Sequence, residues 1–123
     1  MSDISIRILV VDDDPFTAEL TGMTLEAAGY EAVVAEGGLD AMEKVAENPS
    51  FAAVVSDMNM PFMSGAELFE ELGKLGIHLP FLLLTGQDAQ ELVAAHPGMD
   101  AVLKKDEGFQ EALQEHLKTL LAR

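Results

Sequence analysis

Four aspartates stand where apolar runs of this chain come to an end. Asp12, Asp13 and Asp14 follow Ile8-Leu9-Val10-Val11, and Asp57 follows Ala52-Ala53-Val54-Val55-Ser56. Acids gathered at one place must hold a cation or a proton, because two like charges about 4 Å apart cost on the order of 4 kcal/mol at an effective dielectric near 20. The chain has no Cys, and its three His residues, His78, His96 and His116, are scattered without ligand spacing and read as surface or helix residues. An all-oxygen donor set matches a hard divalent ion. Mg²⁺ suits it better than Ca²⁺, since it keeps several waters and needs few protein ligands.

The elements that must bring these acids together are legible from periodicity. Short β-rich runs at Arg7 to Val11, Glu31 to Ala35, Ala52 to Ser56, Phe81 to Thr85 and Ala101 to Lys104 alternate with helical stretches near 15–28, 38–47, 65–74, 88–95 and 107–121. In the first helix Phe16, Leu20, Met23 and Ala27 recur at helical spacing, as do Phe109, Leu113, Leu117 and Leu120 in the last; each stripe is expected to cover a sheet face. Asp14-Pro15 reads as an N-cap with Pro at the first helical position, and Gly29 as the residue just past the helix end. Near-continuous apolar strands are usually buried on both faces of a parallel sheet. The expected fold is therefore α/β, a single doubly wound five-stranded parallel sheet with helices on both faces and right-handed crossovers. A flavodoxin-like order 2-1-3-4-5 makes the first and third strands neighbours at the topological switch point, so that Asp12, Asp13 and Asp57 share one crevice.

Bulk properties narrow the setting. The 123 residues show no shift of composition and read as one domain, 1–123, large enough for a normal core. Apolar runs fall far short of the roughly 20 residues needed to span a bilayer, so no membrane association is expected. The start, Met1-Ser2-Asp3, lacks the basic and apolar regions of a secretory signal, and the absence of Cys fits a reducing cytoplasm. A formal net charge of −15 repels a phosphate backbone and argues against direct nucleic-acid binding. No Gly-rich loop follows the first strand, which leaves a Rossmann or P-loop nucleotide site unsupported.

Four segments in order then carry a family resemblance. Ile8 to Pro15 is similar to the first strand and acid pair of the receiver domains of bacterial two-component response regulators, including the chemotaxis type. Asp57-Met58-Asn59-Met60-Pro61-Phe62-Met63-Ser64-Gly65 resembles their phosphoacceptor segment position by position. Leu82-Leu83-Leu84-Thr85-Gly86 and Val102-Leu103-Lys104 resemble their fourth and fifth strands. The resemblance covers essentially the whole chain. It implies that Asp57 accepts a phosphoryl group from a histidine kinase or histidine phosphotransfer protein in a Mg²⁺-dependent reaction. It also implies that Asp13 binds the metal directly, that Asp12 does so through water or by holding Asp13 in place, and that Asp57 and the carbonyl of Asn59 complete the set. Thr85 would be the switch hydroxyl, Lys104 the cation that neutralises the phosphoryl group, and Asp14 only a cap. Such a protein is a self-phosphorylating switch that controls a downstream effector protein and turns over no external substrate.

Departures from that pattern are equally readable. Lys105 follows Lys104 where the family usually has proline after a cis bond; a cis bond before a non-proline residue costs roughly 2.5–4 kcal/mol, so a trans Lys104–Lys105 bond and a rearranged loop are expected. Ala101 stands in place of the family's switch aromatic. His96-Pro97-Gly98 shortens the helix near 88–95, which puts the usual output face in question. Met58, Met60 and Met63 read as gap-filling core, and Glu107, Glu111 and Glu115 as a solvated face. Two other functions stand beside the switch. One is a small aspartyl-phosphate hydrolase of haloacid-dehalogenase type, from the Asp-x-Asp within Asp12-Asp13-Asp14, although Pro15-Phe16 departs from that motif. The other is a receiver-like interaction module that is never phosphorylated.

Overall fold

A computed structural model describes residues 6–48, 50–86, 94–95 and 98–121. Along the chain run β1 (Arg7–Val11), α1 (Pro15–Ala27), β2 (Glu31–Ala35), α2 (Gly38–Glu47), β3 (Ala53–Asp57), α3 (Gly65–Lys74), β4 (Phe81–Thr85), β5 (Ala101–Lys104) and the helix here called α4 (Phe109–Leu121). All strands are parallel, as the alternation of elements predicts, and they lie in the expected flavodoxin-like order β2-β1-β3-β4-β5. The β1 and β3 strands are neighbours with Val11 opposite Ser56, which sets Asp12 level with Asp57.

Strand alternation divides the core into two layers. Leu9, Val11, Val54 and Leu83 point to one face and pack against Ala41 and Val45 of α2 and Leu68 and Leu72 of α3. Ile8, Val10, Val55, Leu82 and Leu84 point to the other and meet Leu25 of α1 and Leu113 and Leu117 of α4. Each fully buried Leu or Val stabilises the fold by roughly 1.5–3 kcal/mol, so the central strands, buried along their length, form the rigid floor beneath the acids. The methionines behave as gap fillers: Met60 is buried, and Met58 and Met63 pack against the same layer.

Helix ends follow local chemistry. The Asp14 carboxylate accepts hydrogen bonds from the Phe16 amide (3.0 Å) and the Thr17 hydroxyl (3.1 Å), capping α1. Gly29 follows that helix in the left-handed region (φ 95°), where glycine meets no steric penalty. Ser64 and Glu67 form a reciprocal capping box at the start of α3.

Three expectations are revised. The Phe16, Leu20, Met23 stripe of α1 does not face the sheet; these residues are 78%, 37% and 59% exposed. The buried stripe is Ala18, Thr21, Gly22 and Leu25, which has the same helical period but smaller side chains. Gly22 faces β2, where a methyl would meet the Ala32 Cβ at an ordinary contact distance of 3.6 Å. The third strand runs one residue further than expected, from Ala53 through Asp57, and the last helix begins at Phe109. The helix expected near 88–95, with His96 and Pro97, lies outside the described residues except for Ala94 and Ala95.

Candidate functional site

The carboxyl ends of β1 and β3 place Asp12, Asp13 and Asp57 in one cluster, each offering a carboxylate oxygen within 4.8 Å of the others. Asp12 and Asp57 are buried and Asp13 is exposed. Backbone bonds anchor the cluster. The Asp12 amide donates to the Ala35 carbonyl at 3.0 Å, and the Met58 amide to the Leu84 carbonyl at 2.8 Å, so the residues on either side of the crevice are tied to neighbouring strands. The Asp14 amide donates to Asp12 Oδ1 at 3.0 Å, fixing that carboxylate's orientation. Beneath Asp57, the Ser56 hydroxyl donates to the Asp57 carbonyl at 3.0 Å.

Electrostatics follow from this crowding. Burial holds the Asp12 carboxyl above its ordinary pKa, and the charges of Asp57 and Asp13 push the same way. The Asp14 amide and the Lys105 ammonium oppose this without cancelling it. Lys105 forms an ion pair with Asp57 Oδ1. Three carboxylates facing one ammonium leave the cluster short of positive charge. A hard divalent cation fits that donor set, because carboxylate oxygens converge from two strand ends onto a point near solvent.

The remaining predicted residues are placed as follows. Asn59 is exposed in the loop two residues beyond Asp57. Thr85 ends β4 and is fully buried, level with Lys104 across the β4–β5 ladder. Lys104 was the expected phosphoryl-facing cation, and the structure gives the contact with Asp57 to Lys105 instead. Lys104 is the last residue of the edge strand β5 and its side chain is exposed. Lys105 lies just past the strand, where its amide donates to the Thr85 carbonyl at 2.8 Å and its side chain turns over the sheet end. The bond between the two lysines is trans, as expected, with no cis peptide among the described residues. Gly65 is a second site residue whose role sequence alone did not show. A Cβ there would lie 2.4 Å from the Asp57 carbonyl oxygen and 3.0 Å from the Ser56 hydroxyl oxygen.

Residues 8–118 match the family described as the response regulator receiver domain. The chain belongs to that family. This receiver domain is 35% identical over 120 residues to the response regulator MprA of Mycobacterium sp. (strain KMS), covering 96% of this chain and 51% of that protein. It is 34% identical over 122 residues to MprA of Mycobacterium tuberculosis (strain ATCC 25177 / H37Ra), covering 98% and 52%. The chain thus spans about half the length of the curated relatives it matches. Among solved structures it is similar to the response regulator TrrA of Thermotoga maritima in complex with Mg(2+)-BeF, with a TM-score of 0.84, 34% identity and coverage of 94% and 99% of the two chains. The chemotaxis response regulator CheY4 of Vibrio cholerae superposes with a TM-score of 0.83 at 30% identity, covering 96% and 100%. Membership places the domain in two-component signalling and sets aside the haloacid-dehalogenase alternative. No helix is long and apolar enough to cross a membrane among the described residues.

Proposed function

We propose that this receiver domain takes a phosphoryl group onto Asp57 from a phosphohistidine of a sensor kinase or histidine phosphotransfer protein and thereby controls a downstream effector protein in the cytoplasm. The observation that carries this reading is the convergence of Asp12, Asp13 and Asp57 at adjoining strand ends. An Asp57 carboxylate oxygen forms the new bond to phosphorus while the bond from phosphorus to the donor imidazole nitrogen breaks, its electron pair leaving on the imidazole. Asp13, Asp12, Asp57 and the carbonyl of Asn59 are the residues that would hold Mg²⁺. When bound, the ion supplies charge neutralisation for the transferring oxygens. The Asp14 amide keeps Asp12 oriented, and the bonds of the Asp12 and Met58 amides to neighbouring strands keep the acids from spreading under their own repulsion.

Thr85 supplies the switch in this reading. Its hydroxyl would donate to a phosphoryl oxygen that exists only after transfer, and only such a differential contact shifts a population. The chain turns over no external substrate. Donor docking is expected over the exposed stripe Phe16, Leu20 and Met23, because α1 begins immediately after the acid cluster and this apolar face is turned away from the core. The experiment is labelling by radioactive acetyl phosphate with Mg²⁺. Wild type is expected to label and Asp57→Asn to remain unlabelled; equal labelling of the variant would remove Asp57 as the acceptor.

A further inference from the structure

We propose that Phe62, at the tip of the loop between β3 and α3, is an apolar anchor for the phosphohistidine protein that donates to Asp57, standing on the rim of the crevice away from α1. This rests on the phosphoacceptor reading above and adds to it a residue that selects which donor proteins are accepted.

The fold holds Phe62 in an unfavourable conformation. It is the one residue other than glycine with a left-handed backbone among the described residues (φ 70°), and a bulky side chain strains the chain there. The Met63 amide donates to the Pro61 carbonyl at 2.8 Å, which makes Phe62 the centre of a three-residue turn. No burial compensates for the strain, because Phe62 is 102% exposed and belongs to neither core layer. Its neighbours behave otherwise. Met60 is buried and Met63 packs against the layer of α2 and α3, so the loop is held down on both sides of an outward ring. The Gly65 amide donates to the Met58 carbonyl at 3.0 Å and closes the base of the loop next to Asp57. A rigidly presented aromatic ring with its whole surface free is the kind of side chain that anchors an interface.

The surroundings indicate the partner. A Cβ on Gly38 would lie 3.0 Å from the Met63 Cβ, so the start of α2 touches the loop, and the next residue, Leu39, is 68% exposed. Leu39 and Phe62 therefore flank that contact as two exposed apolar residues on the side of the sheet covered by α2 and α3. On the other side Phe16 is exposed at the start of α1, directly after the acids. Asp12, Asp13 and Asp57 open between the two rims. A protein that brings an imidazole to Asp57 must rest on both, whereas a small phosphodonor need touch neither. A second copy of this chain is a poor occupant, because two molecules of net charge −15 repel each other. The partner is a phosphohistidine protein with an apolar recess beside its histidine.

The test compares two donors on the full chain with Mg²⁺: acetyl phosphate, and a purified histidine phosphotransfer protein that is phosphorylated on histidine and labels wild type. In Phe62→Gly, transfer from the protein donor is expected to fall about ten-fold or more, the scale of removing one aromatic anchor. Acetyl phosphate should label the same variant within about two-fold of wild type, the size of a surface effect. The melting temperature should hold or rise, since glycine takes a positive φ without steric penalty; a purely structural residue would lose stability together with transfer. Phe62→Tyr keeps the ring and should keep transfer. Phe62→Asn suits the left-handed backbone but has no ring, and should lose transfer as the glycine variant does. Leu39→Ser probes the same rim from α2 and should lose transfer less severely. Wild-type transfer to Phe62→Gly and Phe62→Asn, or equal loss with both donors, overturns the proposal and leaves the phosphoacceptor reading intact. So does a wild-type dimer in sedimentation that Phe62→Gly dissociates, which would assign the ring to a second copy. Absence of transfer to wild type from every phosphohistidine protein tried, beside normal acetyl phosphate labelling, removes the anchor and the protein donor but keeps Asp57 as acceptor. Failure of acetyl phosphate to label wild type, or its labelling of Asp57→Asn, removes the acceptor reading and this one with it.

Discussion

The first residue of α3 rests on the phosphoacceptor itself: a Cβ on Gly65 would lie 2.4 Å from the Asp57 carbonyl oxygen and 2.5 Å from Leu83 Cδ1. The first of these is backbone and cannot rotate away, so any side chain at position 65 must push α3 off β3. Gly65→Ala is expected to destabilise the domain by about 1–3 kcal/mol, the range for overpacking a close contact, and to slow Asp57 labelling by displacing its carbonyl. Urea titration reads the first effect and acetyl phosphate labelling the second. An unchanged midpoint and rate would show that the helix accommodates the methyl.

The acid cluster carries a stability cost that metal binding would relieve. Asp12→Asn preserves an oxygen able to accept from the Asp14 amide while removing a buried charge that faces Asp13 and Asp57. In metal-free buffer at neutral pH the variant is expected to be more stable than wild type by about 1–2 kcal/mol, a fraction of the full Coulomb term because Lys105 offsets part of it. The sign in pH follows from the raised native pKa of Asp12. Above that pKa the penalty is complete; it shrinks as pH falls and is gone below the ordinary value of 3.8. Addition of Mg²⁺ should raise the melting temperature of wild type and leave that of the variant nearly unmoved. Equal responses would remove Asp12 from the metal set.

At the start of α2, Asp40 offers a pH signature of opposite sign. Its carboxylate accepts from the Glu36 amide at 2.9 Å and from the Lys44 ammonium at 2.9 Å, and these hold its pKa below the ordinary 3.8, the amide contributing most. A lowered native pKa stabilises the fold above 3.8, and that contribution disappears as pH falls through the native value. Asp40→Asn is expected to cost about 0.5–1 kcal/mol at pH 7, the scale of a helix N-terminal contact. Denaturant titrations of both proteins at pH 7 and near pH 3 should show the gap narrowing at the lower pH. A gap independent of pH would mean that the ionised form is not what matters.

How much was legible in sequence divides along physical lines. A parallel sheet and its strand positions followed from alternation of short apolar runs with helical stretches, and the crevice of Asp12, Asp13 and Asp57 followed from the flavodoxin-like order expected for such a sheet, because strand ends are fixed by register. What sequence left open was decided by packing at short range. Two stripes of α1 share the helical period, and hydrophobicity favoured the bulkier one; the helix instead buries Ala18, Thr21, Gly22 and Leu25. Lys104 and Lys105 differ by one position, and only the turn geometry after β5 showed which ammonium reaches Asp57. The intolerance of Gly65 depends on a contact between residues from two elements, which periodicity does not encode.

That reassignment of α1 leads to a test that separates the donor protein from the chemistry. Phe16 and Met23 are 78% and 59% exposed, so replacing both with Ser removes no core packing, and stability should stay within about 0.5 kcal/mol per site of wild type. The Phe16 amide, which caps against Asp14, is retained. Acetyl phosphate is small enough to reach Asp57 without touching α1, so labelling by it should be unaffected. A phosphohistidine protein must instead lay a surface over the mouth of the crevice, and loss of two apolar contacts there is expected to weaken it by about 1–3 kcal/mol, or roughly ten-fold to a hundred-fold in transfer efficiency at low donor concentration. Transfer from a purified phosphohistidine donor that labels wild type would be measured beside acetyl phosphate on the same two proteins. Parallel loss with both donors would point to damage at the acids, and no loss with either would show that the donor approaches Asp57 from another side.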